Sequence, residues 1–271
     1  MKRHLLSIAM ALMTLCVLTA LPATAQSLEQ RVFYQFNPKR ENPKQVSDKR
    51  LDEVIYKGLV LWVSKPKPGK PTVFYLHGSG GNLALRAKKF PWFLERGYGL
   101  VAMAYPGSSG SAGTPERYRI QKLATELYQD LPKFVGDSRI ILLGESLGTG
   151  VAIELAAHPV AKRNPPLGIV LQSPYTSLLD LVRYKNPAML PLFMARTDLW
   201  PSKRVIGRVK TPLFIMHGAK DTTVPVSMGR ELYRRSASAN KKLVVFPSAD
   251  HGSIWRVETR RKLRAWIEKL Y

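Results

Sequence analysis

Seven short apolar runs recur along this chain: Gly58 to Val63, Thr72 to Leu76, Leu100 to Ala104, Arg139 to Leu143, Gly168 to Leu171, Leu213 to Met216 and Lys242 to Phe246. Most are four to six residues long, rich in Val, Ile and Leu and without polar alternation, which is the pattern of strands covered on both faces. Between them lie segments of helical length: Leu83 to Leu94, Glu116 to Lys133, Leu147 to Ala157 and Val226 to Arg235. Thr114-Pro115-Glu116 sets a capping hydroxyl ahead of a proline and an acid, so a helix is expected to start there. Strands alternating with crossover helices predict an α/β fold, a mostly parallel sheet with helices on both faces. At 271 residues one domain suffices, and no internal repeat interrupts it.

The first 25 residues stand apart. Lys2 and Arg3 precede an apolar run from Leu5 to Leu21, and Ala23-Thr24-Ala25 comes before Gln26. This is the pattern of a secretory signal peptide cleaved after Ala25, giving a periplasmic or secreted protein; the alternative is an uncleaved N-terminal membrane anchor. The single cysteine, Cys16, lies inside that run, so cleavage leaves no thiol nucleophile, disulfide or cysteine metal site. The large residues Met13-Thr14-Leu15 before Cys16 do not suit lipid attachment. Residues 26–50 are polar, carry Asn37-Pro38 and Asn42-Pro43, show no sustained period and read as an arm leading into a domain over 51–271.

The net charge of +23 comes from 42 Lys and Arg against 19 Asp and Glu, and only Lys2 and Arg3 of these lie in the leader. Basic residues gather at Arg230, Arg234, Arg235, Lys241 and Lys242, and again between Arg256 and Arg264. Such a surface attracts polyanions, and an exported chain meets anionic phospholipid or lipopolysaccharide rather than nucleic acid, for which no recognition motif is present. The other reading is of solvated helix faces.

Ser173 to Val209 breaks the rhythm. Four prolines stand among Tyr175, Leu178, Met189, Phe193 and Trp200. A long apolar insertion reads as a lid or cap over about 174–209, with Tyr175, Met189, Phe193 and Trp200 as expected substrate contacts, or else as core packing.

The sharpest motif is Gly144-Glu145-Ser146-Leu147-Gly148, placed between the run Arg139 to Leu143 and the helix through Ala157. A serine on a tight strand-to-helix turn lifts its hydroxyl above the sheet edge, and small neighbours permit the turn. An alcohol needs a base in reach and an acid to orient that base. Of five histidines, His4 is in the leader, His158 is at the far end of the helix, and His77 and His217 close strands before glycines. His251, after the last strand, is the expected base. Asp221, just beyond Leu213 to Met216, is the expected orienting acid; Asp250 is its rival but adjoins His251. The expected oxyanion donors are the backbone N–H groups of Leu147 and of Ser79 in His77-Gly78-Ser79-Gly80-Gly81-Asn82. That glycine-rich turn lacks the lysine and the spacing of a nucleotide loop.

Taken with Tyr105 to Gly113, these motifs resemble the α/β-hydrolase superfamily over about residues 54 to 270. Within it the chain looks closest to the serine aminopeptidase or monoacylglycerol-lipase-like group, which includes membrane-associated abhydrolase proteins and protein depalmitoylases. The resemblance implies ester, thioester or amide hydrolysis with no metal and no organic cofactor. A basic exterior and an apolar insertion favour a lipid or other acyl ester, with small peptides second. A non-catalytic scaffold binding anionic envelope components is the alternative from another class.

Overall fold

A computed structural model describes residues 28–194 and 199–271. The expected leader therefore lies outside the described residues, Cys16 included. Eight strands form one sheet: β1 (Asp52–Tyr56), β2 (Leu59–Ser64), β3 (Thr72–Leu76), β4 (Gly99–Met103), β5 (Ile140–Glu145), β6 (Gly168–Gln172), β7 (Leu213–Gly218) and β8 (Lys241–Phe246). Their order is β1-β2-β4-β3-β5-β6-β7-β8; β2 runs antiparallel to β1 and β4, and every later pairing is parallel. β1 was not among the expected strands, because Asp52 to Tyr56 mixes acids with apolar residues at an exposed sheet edge. It is fixed by the turn that follows: Lys57 and Gly58, with φ of 49° and 81°, make a two-residue hairpin whose twist suits the strands.

The continuous apolar character of the inner strands has a simple cause. Leu59, Leu61, Phe74 and Leu76 point to one face, against Ile120 and Leu127 of α1 (Arg117–Asp130), Val151 and Leu155 of α2 (Leu147–Ala157) and Leu232 of α4 (Val226–Arg235). Val60, Trp62, Val73 and Tyr75 point to the other, against Phe90, Phe93 and Leu263 of α5 (Val257–Ile267). α3 (Leu178–Lys185) lies between β6 and β7 in the chain. Each fully buried Leu or Phe contributes about 1.5–3 kcal/mol, so both faces carry the fold. The helix expected from Leu83 to Leu94 is instead a 3-10 turn, Ala84–Lys89, followed by Phe90–Leu94, with Pro91 at the junction. The hydroxyl of Thr114 caps nothing; α1 starts after Glu116 in extended backbone.

Arg230, Arg234, Arg235, Arg261 and Arg264 occupy the outer faces of α4 and α5. Arg235 pairs with Glu231 at 2.8 Å and Arg264 with Glu268 at 2.7 Å, pairs worth about 0.3–0.5 kcal/mol each. No helix among the described residues is long and apolar enough to cross a membrane.

The arm is built into the domain. Residues 28–33 are helical, Phe33 and Tyr34 are buried, and Phe36 bridges to Gly81 in parallel. Gly81 N–H donates to the Gln35 carbonyl (3.0 Å) and Asn37 N–H to the Gly81 carbonyl (2.9 Å). A helix and one bridge leave no repeating hydrophobic period, so the sequence carries no sign of this docking. Its target is the turn after β3, beside β5. From β3 the chain crosses to β4 on one side, and from β4 to β5 on the other. Such a reversal opens a crevice at the carboxyl ends of the two strands.

Candidate active site

The turn after β5 puts Ser146 at that crevice with φ 49° and ψ −115°, a conformation an L residue holds only when its surroundings enforce it. Two glycines make room for it. A Cβ on Gly144 would lie 2.5 Å from the Gly148 carbonyl oxygen, and one on Gly148 would lie 2.0 Å from the Leu76 carbonyl oxygen. Ser146 N–H donates to Gln172 O across 2.9 Å, and the Thr149 N–H and hydroxyl both donate to Ser146 O. The hydroxyl is left facing outward.

His251, beyond β8, sets Nε2 at 3.1 Å from the Ser146 Oγ and Nδ1 at 2.7 Å from Oδ2 of Asp221. The other carboxylate oxygen, Oδ1, accepts the N–H groups of Thr223 (2.9 Å) and Val224 (2.8 Å). Burial would raise the Asp221 carboxyl, but the His251 hydrogen bond and the Val224 N–H outweigh it and hold the group below its ordinary value. An ionised Asp221 requires the imidazole proton on Nδ1, so the Nε2 lone pair faces the serine hydroxyl. Asp250, the rival acid, is turned away: its Oδ1 accepts the Gly252 and Ser253 N–H groups and shapes the loop that carries His251.

The other described histidines, His77, His158 and His217, hold backbone. Buried His217 donates from Nε2 to the Val224 carbonyl (2.9 Å), bracing the turn that seats Asp221. Burial lowers its pKa. His158 caps the short helix Pro159–Arg163. His77 is fully buried and, through burial and the nearby Arg86 cation, drops to about 3, so it stays neutral. Its Nε2 accepts the Tyr105 N–H, which places its proton on Nδ1, 2.7 Å from the Gly78 carbonyl. Because C=O and N–H are anti across a trans peptide, that bond turns the Ser79 N–H the opposite way.

Ser79, Ser146 and Leu147 share the wall of one cavity of about 320 Å³. The rest of its wall is mainly apolar, with Val32 and Phe33 from the arm and Leu178, Val182 and Met189 from the segment after β6. Tyr175 also lines it, and its hydroxyl donates to Leu147 O at 3.2 Å. Two expected contacts do not line it. Phe193 is buried against Phe33, with ring centroids 5.3 Å apart, and Trp200 is fully buried with its Nε1–H on the Tyr34 hydroxyl. Both are core residues, since docking of the arm covers the side of the insertion on which they lie. Larger grooves, one beside Arg40 and Glu53 and another beside Tyr98, hold none of these site residues.

A family model, serine aminopeptidase S33, matches residues 202–255. Human protein ABHD12B is 32% identical over 200 residues, covering 67% of this chain and 55% of that protein. The lysophosphatidylserine lipase ABHD12 of Danio rerio is 26% identical over 193 residues, covering 66% and 50%. The chain thus spans about half the length of the curated relatives it matches. Among solved structures, the Pyrococcus furiosus esterase Pf2001 superposes with a TM-score of 0.68 at 21% identity, over 88% of this chain and 98% of its own. The monoacylglycerol lipase of Paleococcus ferrophilus gives 0.55 at 19% identity, over 78% and 98%. The chain belongs to the α/β-hydrolase superfamily.

For an α/β hydrolase the placement is economical: β5, β7 and β8 each end in a loop bearing one of Ser146, Asp221 and His251. Five residues at or beside the site carry little signal in the sequence. Val32, Phe33 and Gln35 lie in the polar arm, where only the pair Phe33-Tyr34 hinted at burial. Glu145 stands beside the serine in Gly144-Glu145-Ser146-Leu147-Gly148, where its charge suggests exposure. It is in fact largely buried, with Tyr75, Arg86 and Lys89 around its carboxylate. Arg86 carried no signal beyond an arginine in an apolar stretch.

Proposed function

We propose that this protein is an exported serine hydrolase that cleaves an acyl ester or thioester, with a lipid as the favoured substrate. The observation that carries the reading is the chain of contacts from Ser146 Oγ through His251 to Asp221, opening on an apolar cavity of about 320 Å³. His251 Nε2 takes the hydroxyl proton as Ser146 Oγ attacks the acyl carbon. The carbonyl oxygen gains charge and turns to the N–H groups of Leu147 and Ser79. Asp221 stabilises the imidazolium, which returns its proton to the leaving alcohol or thiol. Water, deprotonated by His251, then releases the acid and restores Ser146.

The wall of the cavity also bears on substrate. Among the described residues no acidic side chain lines it, and the one cation on it is the exposed Lys185. An aminopeptidase must hold a substrate ammonium, which this wall does not favour; an acyl chain with an anionic head suits it. The Danio rerio and Paleococcus ferrophilus proteins, a lysophosphatidylserine lipase and a monoacylglycerol lipase, point the same way. Export rests on the pattern of residues 1–25, and the basic outer faces suit an anionic membrane or lipopolysaccharide surface.

The test is turnover of p-nitrophenyl esters of increasing chain length, with aminoacyl p-nitroanilides alongside, together with fluorophosphonate labelling. Ester turnover and labelling are expected for the wild type and lost in Ser146→Ala. Undiminished activity in that variant would sink the proposal, and preference for the anilides would move it to a peptidase.

A further inference from the structure

Behind the glycine-rich turn lies a buried ionic cluster that the chemistry above does not use. Arg86 is only 6% exposed. Its Nη1 donates to the carbonyls of Gly80 and of Asn82, the latter at 3.2 Å, and its Nε lies 3.4 Å from Oε1 of Glu145. Glu145 Oε2 in turn accepts from the Lys89 ammonium and from the Tyr75 hydroxyl at 2.5 Å. A cation buried this deeply is costly unless it is well paired. Among the described residues its partners belong to two short segments: the turn that carries Ser79, and the residue directly before Ser146.

The spacing between these segments is tight. A Cβ on Gly78 would meet Arg86 Nη2 at 3.2 Å on one side and the Ser146 Cβ at 3.3 Å on the other. One glycine thus separates the guanidinium from the nucleophile. Nη1 of Arg86 holds the two carbonyls while Nε faces the Glu145 carboxylate as an ion pair, an arrangement of a planar guanidinium that a lysine ammonium cannot reproduce.

We infer that Arg86, anchored on Glu145, is a positioning residue for acyl transfer: it locks the Ser79 turn to the Ser146 turn, so that the two N–H donors converge on one point. The inference rests on the serine hydrolase reading. A displacement of about 1 Å between reacting groups costs on the order of 100-fold in rate. Loss of the fork should therefore appear in kcat rather than in KM, because none of Arg86, Gly80, Asn82 and Glu145 lines the acyl pocket.

The experiment compares wild type, Arg86→Gln, Arg86→Lys, Arg86→Ala, Glu145→Gln and the Arg86→Gln/Glu145→Gln double variant on one p-nitrophenyl ester, with melting temperatures recorded. Arg86→Gln is expected to lose about 100-fold in kcat, with KM within about twofold. Arg86→Lys keeps the charge, is the variant expected to fold best, and still loses about 10-fold for want of the fork. The double variant is expected to be no slower than Arg86→Gln alone, since the two residues act as one unit. Added guanidinium chloride is expected to restore part of kcat in Arg86→Ala and none in Ser146→Ala. Folded Arg86→Gln and Arg86→Lys variants within about threefold of wild-type kcat would overturn the assignment, as would rate losses that track the melting temperature and resist guanidinium. An inactive wild type would instead overturn the hydrolase reading, and this assignment with it.

Discussion

The indole N–H of Trp200 donates to the hydroxyl of Tyr34 across 3.1 Å, joining the segment between β6 and β7 to the N-terminal arm. The same hydroxyl reaches Glu29 at 3.2 Å, and both aromatic rings are buried. One oxygen therefore satisfies polar groups from two parts of the chain that share the cavity wall.

Tyr34→Phe removes that oxygen and leaves the Trp200 donor buried without its partner. The expected cost is about 1–3 kcal/mol, read as a lower midpoint in urea with an unchanged slope. Since Tyr34 touches none of Ser146, Asp221 and His251, the rate of fluorophosphonate labelling should hold in the folded variant. An unchanged midpoint would mean that the arm's docking does not depend on this contact.

The expected strands were legible because seven of the eight are apolar on both sides; β1, with acids at an open edge, was not. That Ser146, Asp221 and His251 meet was legible because each lies in the glycine- or proline-bearing loop after a readable strand. Phe193 and Trp200 were misread because an aromatic residue in an insertion looks the same whether it faces a cavity or a neighbouring segment. What decides between them is the arm, whose docking is a contact between residues distant in sequence. Arg86 and Glu145 were hidden for a related reason: a charged residue reads as exposed until its buried partner is known.

Asp221→Asn tests the orienting role. The amide oxygen can still accept the Thr223 and Val224 N–H groups, so the turn should hold. Without a carboxylate facing Nδ1, however, the imidazole is free to carry its proton on the wrong nitrogen. A fall of about 10⁴ in kcat with KM little changed is expected. Steady-state kinetics on a p-nitrophenyl ester decide it, and a loss of under tenfold would assign the acid to another residue.

Val182 on α3 lines the cavity and is 6% exposed, which makes it a handle on chain length. Val182→Trp should fill space that a long acyl chain would occupy. Each methylene denied a pocket costs about 1–3 kcal/mol of discrimination. The expected profile shifts towards short esters, with kcat/KM for the longest falling at least about tenfold while acetate turnover is kept. A uniform loss at all lengths would place the acyl chain elsewhere.

The pH dependence of stability offers a test of the buried cluster independent of turnover. Burial alone would raise the Glu145 carboxyl, but Lys89 and Arg86, helped by the Tyr75 hydroxyl, bring it from 4.5 down to about 2. A carboxyl depressed on folding stabilises the folded chain fully above its unfolded value, near pH 4.5, and that contribution is lost as pH falls through about 2. A difference of this size corresponds to about 3 kcal/mol. Glu145→Gln cannot titrate and leaves Arg86 and Lys89 short of their counter-charge, so it should be less stable than wild type at pH 6. The gap should narrow by about 3 kcal/mol as pH falls from 5 towards 2. Urea denaturation of both proteins across that range measures the gap directly, and the other carboxylates cancel in the difference. A gap that stays constant with pH would mean that Glu145 is not ionised against the two cations.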